Sequence, residues 1–447
     1  MTTMTPFPTQ LSGAAFLAAN RYALLADEPR VGKTGTAIIA ADYIMAASIL
    51  VITTASGRGV WKKGFADWSA FDRRVAIEDP TADVVIVGWP SIAKPALLAK
   101  LLSREWDVLI SDEDHFAKAF TAKRTQALYG ELLDDGAHLQ NIRALYACAK
   151  AVWPLTGTPI PHSPADMYPR LRALAPERLA ANPAKDWPDV TRYGDFLHRY
   201  CVVRMKKISN FRRIPVVIGG RNLPELRDRV AGFMLLRTQA DVGIRPPVHE
   251  LLPLLISDAK RREIERDVDK AAIMAAADNG NTRDLEMHLG PLRRITGQIK
   301  ADLVVEAVKE EFDCGLDKIV LAYWHKDVGA ALRDGLATFG VTGIDGSTPD
   351  ARRGENVAAF SRPDGPRVFL AQIEAAGEAI DLSAAAVMWF VETSFSPRSM
   401  KQMSLRITNH SQRRQAVVKV AVLEGSIDEA LQASLMRLWS AIREVLN

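Results

Sequence analysis

The strongest constraint on this chain is a series of short, uninterrupted apolar runs separated by helix-like stretches. Tyr22–Ala26, Ile49–Thr53, Val84–Gly88, Val108–Ser111 and Val152–Thr156 are apolar without a strict period of two. A strand with one wet face alternates; a strand covered on both faces does not, so these runs predict a buried parallel sheet. Between them, Thr34–Ala47 and Pro95–Leu102 carry apolar residues at helical spacing. Strand and helix in alternation predict a doubly wound α/β fold. The pattern breaks from about Pro164 to Lys300, which reads as mostly helical or irregular, with Pro-rich joints at Pro183–Pro188 and Pro246–Pro253. Strand-like runs resume at Ile319–Tyr323, Val368–Ile373, Val387–Val391 and Val417–Leu423, and Ile427–Val445 has the pattern of a closing amphipathic helix. The expectation is two α/β lobes, 1–243 and 244–447. The first carries a helical insertion over about 164–232, and the second a helical lead-in over about 257–300.

Composition narrows the function classes. No stretch approaches the ~20 apolar residues of a membrane-spanning helix. The segment Met1–Pro8 lacks a basic region followed by an apolar run, so no signal peptide is expected, and a cytoplasmic or nucleoid location is. The three cysteines, Cys148, Cys201 and Cys314, are far apart and odd in number, which argues against a zinc site and a disulfide framework. The histidines show no metal-ligand spacing. A net charge of +4 tolerates a polyanionic partner without demanding one.

The sharpest local motif is Ala26-Asp27-Glu28-Pro29-Arg30-Val31-Gly32-Lys33-Thr34, placed after an apolar strand and before a helix. In that context backbone N–H groups at the helix start cradle phosphates. Gly32 allows close approach, Lys33 reaches the β- and γ-phosphates, and Thr34 offers a hydroxyl to Mg²⁺. The usual first glycine of such a loop is Asp27 here, and an isolated Gly-Lys-Thr also suits a surface turn. A second strand ends in Ser111-Asp112-Glu113-Asp114-His115. At the carboxyl end of a sheet strand, Asp112 is placed to hold Mg²⁺ and Glu113 to orient or deprotonate an attacking water. Alone, this is also a solvated acidic loop. A third strand ends in Leu155-Thr156-Gly157-Thr158-Pro159, where Thr156 and Thr158 offer hydroxyls to link a nucleotide site to a track; alone it is a turn.

The order of these motifs resembles the Swi/Snf-type ATPases of helicase superfamily 2, in particular compact annealing-helicase-like and phage-type members, over about Phe7 to Ala430. Phe7-Pro8-Thr9-Gln10 resembles the adenine-sensing segment, with Gln10 as the adenine contact. The pair Asp27-Glu28 ahead of the loop is a family trait, which accounts for the absent glycine. Ile49–Trp61 resembles a strand and loop that touch the nucleic-acid backbone, which implicates Thr54 and Trp61. Asp112–His115 resembles the Asp-Glu-Ala-His box with Asp114 in place of alanine, and Leu155–Asp166 resembles the third motif. Phe233–Thr238 looks like the segment that leaves the first lobe. In the second lobe, Ile344–Thr348 resembles the Asp-Gly-Ser-Thr loop and Ala375–Leu382, with Gly377, the fifth motif. Gln402 and Arg406 fall on the glutamine and first arginine of the sixth. Departures are Arg30 for glycine, Glu374 for a basic or polar residue, negative charge at Glu378 and Asp381, and Asn409 for the second arginine.

The resemblance implies two RecA-like lobes, ATP and Mg²⁺ as ligands, and a monomeric motor on duplex DNA. Lys33, Glu113 and Arg406 would carry the chemistry. Gln10, Asp27, Gly32, Lys33, Thr34, Gly377 and Gln402 would hold the nucleotide, and Thr34 and Asp112 the metal. An arginine such as Arg406 can supply ~10³–10⁵ in rate by stabilising transferred charge. From Arg199 to Arg221 seven basic residues occur with no acidic one, interleaved with Tyr200 and Phe211. Arg204, Lys206, Lys207, Arg212 and Arg213, with Thr156, are the expected sequence-independent contacts to phosphate. Two alternatives stay open: a strand-separating helicase on DNA or RNA, or a degenerate nucleotide-binding scaffold, the latter suggested by Asn409 and Glu374.

Overall fold

A computed structural model describes residues 4–132, 139–140, 144–160, 163–209, 212–266, 282–376, 380–394, 397–426, 428–429 and 432. The chain divides into two compact units, Met1–Val242 and Gly243–Asn447.

The first unit is built on seven strands: β1 (Leu24–Leu25), β2 (Ile49–Thr53), β3 (Val75–Ile77), β4 (Val84–Gly88), β5 (Trp106–Asp112), β6 (Ala149–Leu155) and, beyond an insertion, β9 (Met234–Leu235). Their spatial order is β9-β1-β6-β5-β2-β4-β3, and every pairing is parallel. The uninterrupted apolar runs explain themselves here. Leu50, Ile52, Val85, Val87 and Leu109 enter one core, while Ile49, Val51, Val84, Ile86, Val108 and Ile110 enter the core on the opposite face. Helices cover both faces, among them α1 (Pro8–Ala19), α2 (Lys33–Tyr43) and α3 (Gly57–Trp68).

The insertion is not wholly helical. Cys201–Ser209 (β7) and Arg212–Gly220 (β8) pair as an antiparallel ribbon with Lys207 opposite Arg213 and Arg204 opposite Val216. Val202, Val203 and Met205 are 39%, 40% and 55% exposed, so neither face of its first strand is covered at that point. A strand without a covered face has no hydrophobic alternation to betray it, and the basic run reads as loop.

Among its described residues the second unit has six strands: β10 (Val248–Leu254), β11 (Ile319–Tyr323), β12 (Val341–Ile344), β13 (Val368–Gln372), β14 (Val387–Phe390) and β15 (Val417–Leu423). The order is β10-β15-β14-β11-β13-β12, again all parallel. Ile319, Leu321, Val368, Leu370 and Trp389 face one core, and Val320, Ala322, Phe369, Ala371 and Met388 the other. The expected joint at Pro246–Pro253 is instead largely the strand β10. An edge position tolerates Pro253, because one side of the strand needs no partner for its missing N–H. The expected closing helix lies outside the described residues except Asp428, Glu429 and Gln432. Both sheets are doubly wound, as the apolar runs predict.

Candidate nucleotide site

The sheet order brings the first unit's three motifs together. β1, β6 and β5 are consecutive neighbours, so the loops at their carboxyl ends, Ala26–Gly32, Thr156–Pro159 and Asp112–His115, lie along one edge of the sheet. That edge is where open α/β sheets bind ligands.

The phosphate loop ends at Gly32, whose φ of +102° is a left-handed value that favours glycine. A Cβ there would lie 2.7 Å from the Gln10 amide nitrogen. The buried Gln10 side chain donates to the Gly32 carbonyl at 3.3 Å, and Oε1 accepts the Phe7 N–H at 2.9 Å, so Gln10 adjoins the loop. Arg30, where the family has glycine, also has a left-handed backbone, φ +74°. The departure is therefore borne by the backbone and not avoided. Lys33 and Thr34 begin α2, whose first-turn N–H groups have no acceptor within the helix. Lys33 Nζ donates to the carbonyls of Asp27 at 2.7 Å and Glu28 at 3.3 Å. Asp27 does not offer its carboxylate to a nucleotide: it is fully buried and paired with Arg237.

At the end of β5, the Asp112 carboxylate is oriented by three donors. Trp61 Nε1 at 2.8 Å and Thr53 Oγ1 at 2.9 Å reach Oδ2, and the Glu113 N–H reaches Oδ1 at 3.1 Å. Trp89 Nε1 donates to the Asp112 carbonyl at 2.9 Å. Burial raises the Asp112 carboxyl above its ordinary range and the adjacent Glu113 charge raises it further, against the pull of Trp61, Thr53 and Lys33. Two crowded carboxylates on a half-covered edge are a donor set that a divalent cation would relieve. Among the described residues no group of three or more His, Cys, Asp or Glu side chains converges as a metal site. Carboxylate oxygens are the hard donors that Mg²⁺ takes one or two of from a protein, its shell completed by phosphate and water.

Behind the acidic pair is a buried polar web. His115 Nδ1 lies 3.2 Å from Thr156 Oγ1 and 3.2 Å from Glu113 Oε2. Asp114, buried completely, accepts from Ser111 Oγ and Tyr129 OH, both at 2.7 Å, and from Arg170 Nε. Burial and the Asp114 charge hold the Tyr129 phenol well above its usual range, so it stays a donor. Arg170 also donates to the Pro159 carbonyl at 2.8 Å. The acid that replaces the family's alanine thus ties the β5 loop to the β6 loop through an arginine with no signal in the sequence.

Several expected nucleic-acid contacts fall elsewhere. Trp61 is fully buried with its indole N–H on Asp112, so its side chain is held against the acidic strand end and away from the surface. Thr156 is also fully buried, and its hydroxyl meets His115 and the Thr158 N–H. Thr54 is nearly buried, its hydroxyl accepting the Gly57 N–H at 3.1 Å. Arg204 is exposed on β7. Lys206, Lys207, Arg212 and Arg213 fall on the two ribbon strands, with their side chains outside the described residues.

In the second unit, Gln402 belongs to the helix Pro397–Ser404 and Arg406 to the turn Leu405–Ile407; both are buried. Asn409 donates to Ser383 Oγ and accepts the Ser411 N–H at 2.8 Å, a local tether of the loop. Gly377 and Glu378 lie outside the described residues.

Known proteins are similar to this chain over nearly its whole length. The DNA annealing helicase and endonuclease ZRANB3 of Mus musculus is 24% identical over 461 residues, covering 98% of this chain. The SWI/SNF-related matrix-associated actin-dependent regulator of chromatin subfamily A-like protein 1 homolog of Caenorhabditis elegans is 25% identical over 463 residues, 99% of this chain. The chain is Swi/Snf-like. The SWI/SNF-related matrix-associated actin-dependent regulator of chromatin subfamily A-like protein 1 of Bos taurus is 27% identical over 454 residues. This Swi/Snf-like chain spans 40%, 61% and 44% of the length of those three relatives. No family model matches it. A solved Sulfolobus solfataricus SWI2/SNF2 ATPase core in complex with dsDNA aligns over 96% of this chain and 90% of that one, at 18% identity and a TM-score of 0.44. Among the described residues no helix is long and apolar enough to cross a membrane.

Proposed function

We propose that the chain is an ATP hydrolase that uses turnover to move on or remodel double-stranded DNA without regard to sequence. The observation that carries this reading is the adjacency of β1, β6 and β5, which gathers the phosphate loop, the Thr156–Pro159 loop and the Asp112–Glu113 pair on one sheet edge. ATP would sit with its phosphates on the N-terminus of α2, Lys33 leaving the loop carbonyls for the β- and γ-phosphates and Gln10 beside the base. Thr34 and Asp112 are the residues to hold Mg²⁺, which when bound would neutralise phosphate charge. Glu113 would orient the water that attacks the γ-phosphorus and accept its proton as the bond to the ADP oxygen breaks. Arg406 is assigned to turnover, and Gln402 to holding the nucleotide, through the family resemblance. DNA as the track is supported by the similarity to the DNA annealing helicase and by the basic ribbon, and its duplex form by the family resemblance.

The test is ATP turnover on a panel of duplex DNA, single strands and RNA at low salt. Duplex DNA of unrelated sequences should accelerate hydrolysis alike. If single strands or RNA accelerate it and duplex does not, the duplex reading fails. The two-stranded ribbon of Cys201–Ser209 and Arg212–Gly220, exposed at Val202, Val203 and Met205, favours one second reading, strand separation, for which a forked duplex should then yield free strands.

A further inference from the structure

The first part of the phosphate loop, residues 26–29, is bonded to the segment by which the chain leaves the first unit. β1 pairs with β9, Leu24 opposite Met234 and Leu25 opposite Leu235. The pairing continues past both strands: the Ala26 N–H donates to the Leu235 carbonyl at 2.7 Å, and the Glu28 N–H to the Arg237 carbonyl at 2.9 Å. Side chains extend the seam. The Arg237 guanidinium grips the buried Asp27 carboxylate with two nitrogens, Nε at 2.9 Å from Oδ1 and Nη2 on Oδ2, while Nη1 donates to the Thr9 carbonyl at the start of α1. Space for this is made by Gly13, where a Cβ would lie 2.6 Å from Arg237 Nη2. The Gln239 N–H donates to Glu28 Oε2 at 2.8 Å and its amide to the Pro29 carbonyl at 2.9 Å. Thr238 then closes on Asp241, and the unit ends at Val242.

The same two loop residues carry Lys33. Its ammonium rests on the carbonyls of Asp27 and Glu28, the residues that hold Arg237 and Gln239. A phosphate that draws Lys33 away removes a cation from both carbonyls at once.

We infer that the seam between residues 26–29 and 234–239 transmits nucleotide occupancy to the connection between the two units, with Arg237 and Gln239 as positioning residues. This rests on the nucleotide-binding reading above. Bidentate geometry makes Arg237 irreplaceable by lysine, which keeps the charge and loses the fork. Gln239 is buried and uncharged, so Gln239→Met keeps volume while removing the amide bond.

Amide hydrogen exchange tests this, with the Mg²⁺ complex of a non-hydrolysable ATP analogue as the probe. In the wild type the analogue should slow exchange over 26–36 and change it over 234–242 by at least about threefold, a scale that local opening readily spans. In Gln239→Met and Arg237→Lys at saturating analogue, residues 31–36 should stay protected while the response over 237–242 disappears. If Arg237→Lys does not fold, Gln239→Met decides alone. A wild-type response confined to 26–36, or variants that respond like the wild type, overturns the inference and leaves nucleotide binding intact. No response in either segment removes the nucleotide-binding reading and this inference with it.

Discussion

Glu113 has φ 51° and ψ 46°, a left-handed conformation that costs a residue with a Cβ about 1–2 kcal/mol. The turn aims its carboxylate past Asp112 and toward His115, and strain of this kind concentrates at functional sites. Glu113→Gln should keep nucleotide affinity and lose turnover by ~10²-fold or more, as positioned charges usually supply; unchanged turnover in the purified variant would sink the assignment. Lys33→Ala should weaken nucleotide binding as well. Asp114 and Arg170 behave differently, since both are buried and each is the other's counter-charge. Arg170→Met alone should destabilise the protein by about 3–5 kcal/mol, whereas Asp114→Ala with Arg170→Met should recover most of that loss. Thermal melts of the single and double variants decide it, and an additive pair would mean the two residues act independently. At the opposite end of β5, Asp107 titrates low. Partial burial raises its carboxyl, but hydrogen bonds from Lys150, Ser48 and Ala47 outweigh this and bring it to about 2. Its folded value is below the unfolded 3.8, so its contribution is present above that value and is lost as pH falls toward 2. Asp107→Asn should therefore lower the melting temperature at pH 7 and scarcely at pH 2; an equal gap at both would exclude the charge as cause.

At the scale of elements, the strands with two buried faces were legible, because burial on both sides writes a continuous apolar run. β2, β4, β11 and β15 match their runs residue for residue. The edge strands were not: β3 has only Val75–Ile77, β9 only Met234–Leu235, and β10 carries His249, Glu250 and Pro253, as an edge permits. Motifs that follow a buried strand were legible for the same reason. Their partners were not, since Arg170 and Arg237 reach the site from 56 and 210 residues away in sequence, and no local pattern marks an arginine that will be buried. Trp61 was misread because an aromatic in a loop motif looks exposed until the fold covers it. The ribbon carries its own prediction. Lys207 stands opposite Arg213, and like charges across a ribbon are unfavourable unless an anion neutralises them. Neutralising Lys206, Lys207, Arg212 and Arg213 together should raise the DNA concentration needed to stimulate hydrolysis while hydrolysis without DNA persists. In the wild type the stimulation should fade from about 50 to 200 mM salt. A salt-independent stimulation would rule out phosphate contact as its source.

At the scale of the whole molecule, two sheets of the same layered kind follow one another along the chain, and the residues proposed to carry the chemistry are divided unequally between them. The first unit holds the phosphate loop and the acidic strand end, and the second the buried pair Gln402 and Arg406. If Arg406 serves the transition state, Arg406→Ala should lower kcat and leave ATP affinity nearly unchanged; collapse of affinity at constant kcat would make it a binding or folding residue. The second sheet also has an order of assembly written into it. β15 is inserted between β10 and β14, and β10 has no other neighbour in the sheet. During synthesis β10 emerges first, and its partner is made more than 160 residues later. At ribosomal rates of about 5–20 residues per second, the delay is on the order of ten to thirty seconds. For that interval β10 is an orphaned strand, and once β14 is made its flank also stays open until β15 emerges, so a message cut short before Val417 should yield a product that clumps or is degraded, even though every motif of the first unit is intact.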